Sequence, residues 1–289
     1  MLIADSDLAQ AGRQFLDASA AVTWIGLLRP GFSLRSPGAG EQIVGYLGGN
    51  PLLPDDVAWP EWEGQGPLTF IGAIDCGALP GDGLGLPLPA DGALLFFYFD
   101  GQGGDGTTTV DYWEPGSASG GSRVLYVPAD AQMAEREAPD PITAYAMVPL
   151  AGELVATYPD IEHPAFRAAF GDPYAPDAPQ TGVTGDGFNA ALDAVRRARA
   201  PHHHVGGYAV PLQGSAEIEA AYGRFPGNEP EAAKSREELA GRLVLLAQIG
   251  SERGAGMSWG DTGSLYWFIH PDDLAAGRFD AALFTWQSH

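Results

Sequence analysis

Three consecutive histidines, His202, His203 and His204, are the densest run of imidazoles in this 289-residue chain. Imidazole is a common ligand for zinc, copper and nickel. Consecutive residues make a poor chelate, because on a strand His202 and His204 point to one face and His203 to the other. Neither H-x-x-x-H nor H-E-x-x-H spacing is present, so no metal is assigned and the run is expected to be bonded in a loop before Gly206 and Gly207. Cys76 is the only cysteine, which excludes an intramolecular disulfide and fits a reducing compartment. Beside an apolar run of strand length, it is expected to be a small buried hydrophobe, not a nucleophile. No G-x-S-x-G elbow is read around any serine, so no serine is assigned as a nucleophile. Asp55-Asp56 and Asp272-Asp273 could form acid/base pairs, but Asp272-Asp273 follows Pro271 at a helix start, where carboxylates favour the exposed amides.

The remaining candidates are Asp75, Gln248, Glu252, Trp259 and Asp261, near strand ends, with His202 and His204 beside them. They are read as a binding set, with no catalytic residue and no cofactor. Trp259 and Asp261 belong to MSWGDTGSLYWFI, residues 257–269. There WGDTG is a turn by composition and the apolar run after it a strand buried on both faces. Simple alternation places Leu243, Leu245, Ala247 and Ile249 on one face and Val244, Leu246 and Gln248 on the other. Gln248 then needs partners within an apolar setting, and the backbone of the Trp-Gly-Asp turn is the expected one.

The elements that must position these residues are readable in part. Ser6 caps a predicted helix to about Ala18, and TWIGLLRPGFSLRS reads as extended structure interrupted by Pro30. Residues 43–113 read as strands and loops. The glycine-rich stretch 101–121 suggests a hairpin excursion. Its start, GQGGDG, lacks the Lys-Ser/Thr of a phosphate-binding loop. HPAFRAAF and GFNAALDAVRRARA read as helices, the second ending in arginines that suit the negative end of its dipole. Ser215 and Ser235 read as two further helix starts.

Three pairs of segments recur in the same order: GGNPLLP (48–54) with GGYAVPLQ (206–213), GPLTFIGAI (66–74) with GRLVLLAQI (241–249), and GALLFFYF (92–99) with GSLYWFIH (263–270). The expected fold is α+β, mostly antiparallel β-sheet with several short helices, built from two related halves at about 43–127 and 202–289 around one core. Residues 1–39 form an N-terminal helix and strand packed on that core, and 40–289 a single domain.

GGNPLLPDDVAWP, GPLTFIGAIDCGALP, GALLFFYFD, HHHVGGYAVPLQG, LLAQIGSE and SWGDTGSLYWFIHPDDLAAGRFD together resemble the YwqG-like family of bacterial domains of unknown function. The resemblance covers roughly residues 40–289. It implies one α+β unit rich in antiparallel strands with two related halves, and no established reaction, cofactor or substrate. Where the family usually has Gln-Ile-Asp, this chain has Ala73-Ile74-Asp75 in one half and Gln248-Ile249-Gly250 in the other. Each half lacks one polar member, which counts against an essential catalytic role for that pair. The Trp-Gly-Asp-x-Gly motif is intact at Trp259, Gly260, Asp261 and Gly263.

A formal charge of −22, from 37 acidic against 15 basic residues, disfavours nucleic acid and anionic membrane surfaces as partners. Lys234 is the only lysine. No run of 18 apolar residues and no leader pattern is present, so the cytoplasm is the expected location. The reading that follows is a non-enzymatic binding protein whose acidic surface, with Trp59, Trp62, Tyr112 and Trp113 in loops, meets a basic protein or peptide, as an inhibitor would. Two alternatives stay open. One is a hydrolase using carboxylates and His204 in a cleft between the halves; the other is a small-molecule sensor.

Overall fold

The computed structural model describes residues 3–102, 108–114, 116–172, 175, 181–200 and 202–289. Ten strands form one sheet: β1 Arg29–Arg35, β2 Gly45–Leu47, β3 Thr69–Asp75, β4 Ala93–Tyr98, β5 Ser122–Val127, β6 Val148–Thr157, β7 His203–Val205, β8 Val244–Gly250, β9 Ser264–Ile269 and β10 Leu283–Gln287. Their order is β10-β9-β8-β7-β1-β6-β2-β3-β4-β5, antiparallel at every step. The described helices are α1 Asp7–Phe15, α2 Ala18–Leu27, α3 Ser117–Gly120, α4 Pro164–Phe170, α5 Asp186–Ala198, α6 Ala216–Tyr222, α7 Pro230–Ala240 and α8 Pro271–Ala275. The fold is therefore α+β around a large antiparallel sheet.

The sheet curls until its two ends face each other. Phe96 on β4 meets Trp267 on β9 with ring centroids 5.1 Å apart, and Tyr98 meets Phe284 on β10 at 5.2 Å. The Trp286 indole N–H donates to the Val110 carbonyl at 2.7 Å, closing the seam. The main core fills the space inside this curl. Leu265, Trp267 and Ile269 of β9 point into it, while Tyr266 and Phe268 point outward into a second cluster with Ala216 and Ala220 of α6. Both faces of β9 are thus covered, which is why its apolar run is continuous.

Strict alternation fails in β8. A bulge between Leu245 and Ala247 puts Leu243 and Leu245 in the outer cluster and Ala247 and Ile249 in the main core. Strand β3 carries a bulge between Phe70 and Gly72, the positions that align with those in β8. The neighbouring registers match as well. Tyr46 pairs with Ala73 and His204 with Gln248; Gly45 pairs with Ile74 and His203 with Ile249. Gly92 and Gly263 each lie where a Cβ would strike a backbone carbonyl of the next strand, of Val127 and Gln287 respectively.

Other local expectations need correction. Thr23 to Leu27 are helical, not extended, because Asp17 caps Ser19 and Ala20 and the Trp24 indole, fully buried, donates to the Leu8 carbonyl at 2.9 Å. Pro30 is accommodated inside β1, opposite Ala156. Ser235 lies within α7, which starts at Pro230 after Glu229. Around the expected hairpin excursion, Thr108–Asp111 form no strand, and residues 103–106 of GQGGDG lie outside the described residues.

Replacing Trp267 by Ala empties the centre of the curl and is expected to cost about 3–5 kcal/mol. Urea unfolding followed by far-UV circular dichroism measures it, and a loss below about 1 kcal/mol would mean the contact is not central.

Candidate functional site

The structure brings His202, His204 and Gln248 together on the outer face of the sheet, behind α5. His204 pairs in register with Gln248. Gln248 bridges to Val210, its Oε1 accepting from the Val210 N–H at 2.8 Å and its Nε2 donating to the Val210 carbonyl at 3.3 Å, where Tyr266 Oη also donates at 3.0 Å. The partner is therefore this loop and not the Trp-Gly-Asp turn. The loop closes a cavity of about 30 Å³ lined by His202, His204, Arg196, Arg199, Tyr208 and Val210 among others. Among the described residues neither nitrogen of His204, only 1% exposed, has a hydrogen-bond partner, nor has Nδ1 of His202. Burial, reinforced by Arg196 beside His202 and by His202 and Arg199 beside His204, lowers the imidazoles to about 4 and about 3, so both are neutral at pH 7. No cluster of three metal-ligating groups exists among the described residues.

The other predicted residues are elsewhere. His203 faces the opposite side, where its Nδ1 accepts from the Gly250 N–H at 3.2 Å and its Nε2 meets Glu252 at 3.3 Å. That bond holds the Glu252 carboxyl below its usual range, and Glu252 also accepts from the Gly254 N–H. Trp259 is buried in the main core against Tyr98 and Tyr145. Asp261 is exposed in the turn and accepts only from the Thr262 hydroxyl among side chains. Asp75 is exposed and caps a short turn through the Gly77 N–H. The binding set thus divides: one group at the cavity, one as a loop brace, two as turn residues and one as core.

Nucleophile chemistry finds no support. Cys76 is buried and its thiol is raised to about 12, chiefly by desolvation. Contrary to the expectation of no elbow, Gly-Met-Ser-Trp-Gly at 256–260 has the spacing of one. A turn and strand follow it instead of a helix, and the Ser258 hydroxyl donates to the Gly260 carbonyl, with no imidazole bonded to it.

A second feature lies at the seam. An open groove of about 930 Å³ is lined by Glu61, Glu63, Glu114, Trp62, Gln65 and Arg123 among others. Trp62 packs edge-on against Phe99 at 5.2 Å, and Gly120 of α3 is a glycine because any side chain there would collide with the indole. Next to it Tyr112 stands between Trp113, 57% exposed, and Tyr222 of α6. Burial, then Glu114, raises the Asp111 carboxyl, as expected where negative charge is concentrated. Trp59 is not a free loop aromatic: its indole donates to the Leu68 carbonyl at 2.8 Å and packs on Phe97.

A family model described as Domain of unknown function (DUF1963) matches residues 46–288. The chain belongs to that family. The cavity and the groove both lie within the matched span, whereas β1, outside it, sits mid-sheet between β7 and β6. No curated protein matches the chain. No described helix is long and apolar enough to cross a membrane.

In this DUF1963 chain the outer cluster also holds a perturbed acid. Glu219 on α6 is raised to about 7, first by burial and against the hydrogen bonds it accepts from Gln287 and Thr285. A folded-state value above the unfolded one means that its contribution to stability is complete below about pH 4.5 and lost as pH rises through about 7. Glu219→Gln is expected to flatten the fall in unfolding free energy between pH 5 and 8 and to add on the order of 1–3 kcal/mol at pH 8. Urea titrations at the two values measure this, and an unchanged slope would place the proton elsewhere.

Proposed function

We propose that the protein is a non-catalytic binding protein whose acidic, aromatic groove takes a basic segment of a protein or peptide. The carrying observation is the arrangement of Glu61, Glu63 and Glu114 around the Trp62 indole in one open groove, with Arg123 the single base among its described lining residues. An indole face flanked by carboxylates suits an arginine or lysine side chain, which gains both a cation–π contact and charge pairing. The groove is also built to be rigid: the Trp62 edge rests on Phe99, Gly120 gives it room, and Trp286 ties the Val110 backbone to β10. A net charge of −22 would steer such a partner in and repel polyanions.

The hydrolase alternative requires an acid and a base within reach of one another in a cleft. His204 has no hydrogen-bond partner and Asp261 stands alone in an exposed turn, so that reading lacks its pair. We further infer that the two halves are copies of one unit. The aligned bulges in β3 and β8, the matching registers beside them and the contact of the aligned residues Phe96 and Trp267 support it.

Fluorescence anisotropy with a labelled nine-residue peptide alternating Arg and Gly tests the groove. Binding is expected to weaken steeply between roughly 20 and 150 mM salt. Trp62→Ala combined with Glu61→Gln and Glu114→Gln is expected to weaken it at least about tenfold. Equal affinity in that variant, or equal binding of a Glu/Gly peptide, would contradict the reading.

A further inference from the structure

Two partly buried arginines, Arg196 and Arg199, line the cavity behind β7. No carboxylate lies within ion-pair distance of Arg196 or Arg199 among the described residues. Each donates instead to a backbone carbonyl, Arg196 to Pro211 at 2.9 Å and Arg199 to Ala156 at 2.7 Å. The Arg196 Nε–H is buried without a partner, as are both nitrogens of His204 and Nδ1 of His202. One carboxylate, Asp160, shares the wall, and its Oδ1 already accepts the Glu162 N–H at 2.8 Å.

Buried donors left unmade cost about 1–3 kcal/mol each, so such a cluster persists where something else satisfies it. Whichever nitrogen of neutral His204 carries the proton, the ring offers one donor and has no acceptor among the described residues. A cation is disfavoured by the two guanidiniums, which outnumber the single carboxylate. The volume of about 30 Å³ admits one ion of a few atoms and excludes anything the size of a sugar or nucleotide.

We propose that this cavity is a binding site for a small monovalent anion of halide or nitrate size, held by Arg196 and by the imidazoles of His202 and His204. The site is separate from the groove and stands or falls independently of it. Anion binding here would brace the loop that Gln248 ties down through Val210 against α5.

Thermal unfolding in sodium bromide against sodium gluconate at constant ionic strength reads the proposal, since gluconate is too large to enter. Bromide is expected to raise the midpoint saturably, by about 2–4 °C at a tenfold excess over its Kd, and gluconate not at all. Arg196→Met and His204→Phe are each expected to abolish the difference. Should either variant fail to fold, anomalous diffraction from crystals of the unaltered protein grown in bromide decides: a bromide peak between His204 and Arg196 supports the site. Identical curves in the two salts, or a water molecule alone in the cavity, would overturn it.

Discussion

The contact between Phe96 and Trp267 is the constraint on which the architecture depends. Ten strands in one antiparallel sheet would leave wide apolar faces in water unless the sheet closed on itself. Here it closes by rolling β4 onto β9, so that the aromatic residues of the two ends fill one core. Everything of functional interest lies on the outside of that roll. The groove lies between the 61–65 segment and the 108–123 segment, beside the seam that Trp286 closes on Val110, and the cavity forms where helix α5 and the 208–211 loop cover the back of the central strands.

Charge follows the same division. The exterior carries the acidic excess and concentrates it beside exposed aromatic rings, whereas inward-facing arginines meet neutral histidines behind the sheet. Desolvation keeps these imidazoles uncharged, and it holds the Glu219 carboxyl near neutrality on the adjoining helix. A protein that is uniformly acidic in composition therefore presents two opposite electrostatic environments, each made by a different packing layer.

Much of the frame was legible in the residues. The near-continuous apolar runs of β4 and β9 marked strands covered on both faces, and WGDTG marked the turn before β9, with Gly260 at positive φ. What could not be read were long-range choices. Gln248 chose Val210, 38 residues away, over the nearby turn, because the bulge at Leu246 fixes which face it takes. The arginines of α5 read as dipole partners from local pattern alone, and only the fold turns Arg196 toward the histidines. Likewise Glu114 joins Glu61 and Glu63 in one groove from a separate segment, a meeting that only the fold makes. Thr23 to Leu27 belong to a stretch that reads as extended structure interrupted by Pro30, yet tertiary burial of Trp24 decided for helix.

A double-mutant cycle across the roll tests its closure most directly, using Phe96→Leu, Trp267→Leu and the pair in urea unfolding. Rings packed across the core should couple, with an interaction energy on the order of 0.5–1.5 kcal/mol. Additivity to within about 0.3 kcal/mol would mean that the two ends of the sheet do not share a core.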